Sequence, residues 1–190
     1  MKSKFYFILI LLIFSNINAQ KREILAVIVN QKNDTIKTNI ILTVNLFDNT
    51  LIKELSIIKD VKIIGSNGKK IKIPAKDIKR LNFTDLKEKK RSFTYDGKKQ
   101  LQEIIYDGKI KAFYTYSANP YDGSTISHID FYDENGDRVK TGPLKTSKSA
   151  LKKVVKENPE LIKIIDESKL THEETIILVL TKYEEEYLNK

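Results

Sequence analysis

The sequence predicts an α+β fold: an antiparallel β-meander, rolled or closed into a partial barrel, followed by two to three C-terminal helices. Three observations predict it. Aspartate-glycine and asparagine-glycine pairs recur between short apolar runs, those runs alternate with a period of two, and beyond Gly142-Pro143 the apolar period becomes helical. Five of the seven glycines sit in such pairs, at Asn67-Gly68, Asp96-Gly97, Asp107-Gly108, Asp122-Gly123 and Asn135-Gly136. Each pair suits a type I′ hairpin turn, which needs positive φ at both central residues.

Residues 1–19 read as a secretory signal. Lys2 and Lys4 precede an apolar run over 5–14, and Ser15-Asn16-Ile17-Asn18-Ala19 is a polar stretch ending in a small residue, with cleavage expected after Ala19. A run of this length is too short for a membrane span, which needs about twenty residues. With no cysteine after it, a lipid anchor is excluded. The expected product is one domain over 20–190, exported to the periplasm or cell surface, without a transmembrane span.

Strands are expected over 24–30 and 35–47, joined by a turn at 31–34. In the second, Ile40, Leu42, Val44 and Leu46 alternate with more polar neighbours, as a half-buried strand requires. Residues 51–59 fit a short helix or an extended connection. A hairpin follows, 61–64 with 71–73 around Ser66-Asn67-Gly68-Lys69, and Pro74 must end it, bend it or lie on an edge, since proline cannot donate to a ladder. Further strands are expected over 78–83, 91–95, 101–106, 110–117, 124–133 and 138–141.

The helical part is expected over 143–190. Ala150, Leu151, Val154 and Val155 recur at helical spacing behind a serine cap, Ser147 or Ser149. Asn158-Pro159 places a cap before proline at the first helical position. Thr171-His172-Glu173-Glu174 is a capping box, opening a helix with Ile176, Leu180, Tyr183 and Tyr187 on one stripe. The β-branched run 176–180 also fits a strand; the capping box favours helix.

Composition narrows the chemistry. There is no cysteine, hence no disulfide, thiolate nucleophile or cysteine metal site. The formal charge of +9 is concentrated: residues 61–91 hold eleven basic and three acidic side chains. Asp133-Glu134-Asn135-Gly136-Asp137 superficially matches a calcium loop, but Arg138 and Leu144 stand where glycine and glutamate are needed. The two histidines, His128 and His172, lack metal-ligand spacing, and no nucleophile-elbow pattern accompanies them. No catalytic residue, metal site or cofactor is assigned.

The signal end Ile17-Asn18-Ala19-Gln20, Asn33-Asp34-Thr35-Ile36-Lys37 and Ile73-Pro74-Ala75-Lys76-Asp77-Ile78-Lys79 resemble segments of exported β-rich proteins of Gram-negative bacteria with lysine- and isoleucine-heavy proteomes. The resemblance implies an address and no activity. The hairpin at 131–136 is similar to tyrosine-plus-Asn-Gly β-hairpin repeats. However, the three Tyr-Asp-Gly turns are unevenly spaced, which is incompatible with a repeat array.

Two surfaces are candidates. Tyr106, Tyr114, Tyr116, Tyr121 and Tyr132 crowd the meander and fit an aromatic platform for a glycan or peptide; strand propensity alone also accounts for them. On 110–116, alternation puts Ile110, Ala112, Tyr114 and Tyr116 on one face and Lys111, Phe113 and Thr115 on the other. Lys70, Lys72, Lys79 and Arg80 fit an anionic partner such as a lipid surface or an acidic envelope protein. A solvated strand face, with Lys62, Lys70 and Lys72 alternating with Val61, Ile63, Ile71 and Ile73, also accounts for them and is the commoner use of such a charge run. No nucleic-acid motif accompanies the charge. The expected function is a non-catalytic binding module of the bacterial envelope. The alternatives are a barrel-like carrier of a small apolar ligand, or a small hydrolase using His128.

Overall fold

In the computed structural model, residues 20–65, 67–139, 147–156, 158–168 and 173–188 are described. The expected signal, the Gly142-Pro143 break, His172 and the start of the capping box lie outside them. The fold is α+β, an open antiparallel sheet of nine strands followed by three helices. The strands are β1 (Lys21–Asn30), β2 (Thr35–Thr43), β3 (Asp60–Ile64), β4 (Lys70–Pro74), β5 (Ile78–Thr84), β6 (Lys90–Tyr95), β7 (Leu101–Asp107), β8 (Lys111–Ala118) and β9 (Thr125–Tyr132). The order is β4-β3-β2-β1-β5-β6-β7-β8-β9, so β4 and β9 are its edges. The chain divides into two compact units, one up to Arg91 and one from Ser92.

In the first unit, the ladders align Ala26 with Phe83, Ile28 with Leu81 and Ile40 with Ile63. These side chains, with Leu42, Val61 and Ile78, are buried and form its core. The unit must curl strongly. Pro74 pairs with Asp60, level with the Lys21 end of β1, whereas Ile78 pairs with Asn30 at the other end. In a flat sheet the two would be about 30 Å apart along the strands and about 19 Å apart across them. Four residues span at most about 14 Å. Curling brings the end of β4 round to the start of β5, and side chain and backbone fix both ends of the connection. Ala75 N–H donates to the Lys59 carbonyl, and Gln31 Nε2 donates to the carbonyls of Lys76 and Ile78. β5 already has β1 and β6 as neighbours, so no ladder joins it to β4.

The turns correct the sequence reading. The loops 30–34, 85–89 and 133–137 share one geometry. The first residue's N–H donates to the fifth carbonyl, and the fourth N–H donates to the first carbonyl. The first side chain, Asn30, Asp85 or Asp133, accepts the third and fifth N–H groups at 2.8–3.0 Å. Only the fourth residue is left-handed: Asn33, Glu88 and Gly136. Gly65–Lys69 repeats the backbone pattern with Gly68 at φ 72. This is a type I turn closed by a G1 bulge, not type I′. The Asx side chain gathers the loop N–H groups and fixes the type I turn, so one left-handed residue suffices.

Other boundaries move as well. β2 stops at Thr43; Val44 makes a single bridge to Ile52, and Leu46 and Phe47 are exposed. Residues 51–59 contain a 3₁₀ turn at Glu54–Ser56, with Ile57 and Ile58 buried beside it. The expected last strand is one bridge, Tyr132 to Arg138, and its end lies outside the described residues.

In the second unit, helices α1 (Ser147–Val154), α2 (Pro159–Glu167) and α3 (Glu173–Tyr183) cover one face of β7–β9. Asn158 caps α2 by accepting the Glu160 and Leu161 N–H groups, with Pro159 at its first turn, as the sequence predicts. The run 176–180 is helical: Ile176, Val179, Leu180 and Tyr183 form its buried stripe. They pack with Leu151, Val154, Leu161 and Ile165 against Ile105, Ile110, Ala112 and Phe131. Glu184 opens a wider π turn after α3, over Glu184–Leu188.

Candidate functional site

The aromatic candidates divide among three environments. Register places Ala112, Tyr114 and Tyr116 opposite Phe131, Ile129 and Ser127, on the face that meets the helices. The Tyr114 and Tyr116 rings lie 6.3 Å apart, as the expected alternation requires. Tyr116 is buried and its hydroxyl donates to Glu103 Oε2, itself a buried carboxylate. Tyr106 packs against the helical cluster, and burial pushes its hydroxyl pKa up beside Thr181 and Glu184. Tyr132 lies on the opposite face, edge-on to Phe113 at 5.6 Å, and burial raises its pKa too. Tyr121, 96% exposed, stands on the β8–β9 loop. Three of the five therefore serve the core of the second unit.

His128 is exposed on the edge strand β9, and Thr115 Oγ1 donates to its backbone carbonyl. No group of three or more histidine, aspartate or glutamate side chains able to hold a metal occurs among the described residues. No described helix is long and apolar enough to cross a membrane.

The cationic candidates separate into two pairs. Lys79 and Arg80 lie on β5, where Lys79 Nζ donates to Asn33 Oδ1 at 2.6 Å and Arg80 pairs with Val29. Lys70 and Lys72 are exposed on the edge strand β4. Register sets Lys72 directly opposite Lys62, with Lys70 opposite Ile64, so Lys62 lies diagonal to Lys70 on the same face. Asp60 shares that face two residues before Lys62. Sequence reading put Lys62 in the solvated alternation rather than the site; the G1-bulge register is what joins it to Lys70 and Lys72.

The hydrogen-bond phase of this hairpin follows from both of its ends. Gly65 and Lys69 are hydrogen-bonded at the turn, and Ala75 and Lys59 at the base. In an antiparallel ladder bonded pairs alternate with unbonded ones. Counting from either end makes 63/71 and 61/73 bonded pairs and 64/70, 62/72 and 60/74 unbonded pairs. The N–H and C=O groups of Lys70 and Lys72 therefore point away from β3. Pro74 occupies the next outward position, where its missing N–H costs the ladder nothing. Lys62 and Lys72 sit in an unbonded pair, whose Cα atoms approach to about 4.5 Å.

Arg91 supplies a contrasting, internal use of charge. Its Nη1 and Nη2 both reach Glu54 Oε1 at 3.1 Å, and Asp85 Oδ2 lies 4.0 Å from Nη1, with all three side chains largely buried. Comparison with models of protein families, with curated proteins and with solved structures gives no match for this chain.

Proposed function

We propose that the chain is an exported, non-catalytic binding module whose β3–β4 hairpin engages an anionic partner of the bacterial envelope. One observation carries this reading: Lys62 and Lys72 face each other in a close cross-strand pair, with Lys70 diagonal to Lys62 and two residues from Lys72 on the same strand. Like charges directly opposite destabilise a sheet. Two of these lysines are exposed, and none of the three makes an ion pair among the described residues. An anion set over the hairpin would relieve the repulsion on binding. Support for export is the Lys2/Lys4 and 5–14 pattern of the sequence.

The test is association with vesicles containing phosphatidylglycerol and with a polyglutamate peptide, measured against salt. The expected result is binding that weakens as ionic strength rises and is lost on reversing Lys62, Lys70 and Lys72 to glutamate. Reversing Lys79, already committed to Asn33, should leave binding nearly unchanged. Failure to associate with either anion at low salt would sink the reading.

A further inference from the structure

We infer that β4 accepts an extended acidic segment of a partner protein as an additional strand, with the partner's carboxylates alternating against Lys70 and Lys72. This rests on the proposed role of the hairpin in anion binding and specifies the partner. Two independent features of the same residues converge. Lys70 and Lys72 present exposed ammonium groups on one face, and the bonding phase of the hairpin turns their N–H and C=O groups outward along an unpaired edge. β4 is a terminal strand of the sheet, and β5, the strand its end approaches, is already flanked by β1 and β6. Main-chain bonds along such an edge supply affinity, while alternate side chains supply specificity.

The other face of β4 completes the selection. Ile71 is 46% exposed there, with Ile73 partly buried beside it. A segment alternating acidic and β-branched residues would set carboxylates beside the lysines and apolar side chains beside Ile71. Pro74 has no N–H to offer and so limits the docking length to the residues before it. A second copy of β4 is a poor occupant, because edge-to-edge pairing would bring Lys70 and Lys72 against lysines again; edge lysine commonly prevents such pairing.

The experiment uses the whole exported chain and a synthetic peptide alternating glutamate and valine, about seven residues long. Its controls are the same peptide N-methylated at its glutamates, whose N–H groups would face β4, together with phosphatidylglycerol vesicles and a short single-stranded oligonucleotide. The readouts are affinity and residue-resolved amide exchange. The expected result is tighter binding of the alternating peptide than of every control, with slowed exchange at the Lys70 and Lys72 amides.

Two variants separate charge from strand addition. Lys72→Gln removes the charge and keeps the outward N–H, whereas Lys72→Pro removes both at an edge position that tolerates proline. Lys72→Pro should bind about fivefold more weakly than Lys72→Gln, the share of one backbone hydrogen bond. Equal losses in the two variants, unprotected Lys70 and Lys72 amides, or binding of vesicles or oligonucleotide as tight as of the peptide would overturn strand addition and leave the anionic-partner reading standing. No binding of any anion would remove both.

Discussion

The carboxylate of Glu184 accepts the backbone N–H of Ile110 at 2.6 Å. It does so by lying over Gly108: a Cβ there would meet Oε1 at 2.6 Å and Cδ at 2.7 Å. The three-residue loop between β7 and β8 thus has its buried donor satisfied from the end of α3, which fastens the helical cover to the sheet. Glu184→Ala orphans that donor, and the expected cost is about 1–3 kcal/mol of unfolding free energy by denaturant titration. Gly108→Ala pushes the carboxylate away and should cost a similar amount. The double variant should lose less than the sum, because both changes break one contact.

Arg91 predicts a larger effect in the first unit. Removing it leaves Glu54 and Asp85 as largely buried carboxylates without their shared cation. Arg91→Ala should destabilise by about 3–5 kcal/mol, the scale for breaking a buried pair. Arg91→Lys should recover only part of this, since one ammonium cannot reproduce two guanidinium donors on Glu54 Oε1. Chemical denaturation of the three proteins checks the order.

Glu88 holds the left-handed position of the β5–β6 loop at φ 62, where a side chain is strained. Glu88→Gly should therefore raise stability by about 1 kcal/mol, reduced somewhat by glycine's greater unfolded-state freedom. Asn33→Gly, at φ 68, should gain less, because asparagine tolerates this region and its Oδ1 accepts from Lys79. Paired thermal melts would show the difference.

The same loops mark what the sequence made legible. Short β-branched and aromatic runs between turn residues placed strands β1 and β3–β9 to within a few residues, and Asn158-Pro159 placed the start of α2. The Asn-Gly and Asp-Gly pairs located turns but suggested the wrong type. The deciding residue is the Asx that opens each loop, Asn30, Asp85 or Asp133, and two of these loops contain no glycine. The cationic site was half legible: Lys70 and Lys72 stood out by charge, whereas the opposition of Lys62 to Lys72 follows from loop length and hydrogen-bond phase. Strand composition marked the tyrosines but not their surroundings, because the packing of Tyr106 and Tyr114 against the helices is a long-range outcome that local sequence does not encode.

Glu134 and Lys156 give a pH dependence. The hydrogen bond from Lys156 Nζ, at 2.6 Å, holds the Glu134 carboxyl below the usual glutamate range and lifts Lys156 above the usual lysine range. The Glu134 contribution is thus present above about pH 4.3 and lost as pH falls through its lowered folded value. The Lys156 contribution is present below about pH 10.4 and lost as pH rises through its raised folded value. Glu134→Gln should flatten both limbs of the denaturation midpoint against pH and change little near neutrality, because the pair is solvent-screened. An unchanged acid limb would assign that slope to other carboxylates.

Lys72 separates stability from recognition. Its repulsion from Lys62 is a cost the free protein carries, since the pair sits in a close, unbonded register position. Lys72→Glu converts that repulsion into attraction across the strands, and it should stabilise the fold by about 0.2–1 kcal/mol at low salt. The gain should shrink as salt is added, since the side chain at 72 is exposed on the edge strand. Anion association should fall in the same variant. A substitution that strengthens the sheet while weakening binding is the signature of a surface shaped by its partner. If Lys72→Glu instead destabilises the protein at low salt, the lysine pair is structurally favourable and the premise of an unrelieved charge conflict fails.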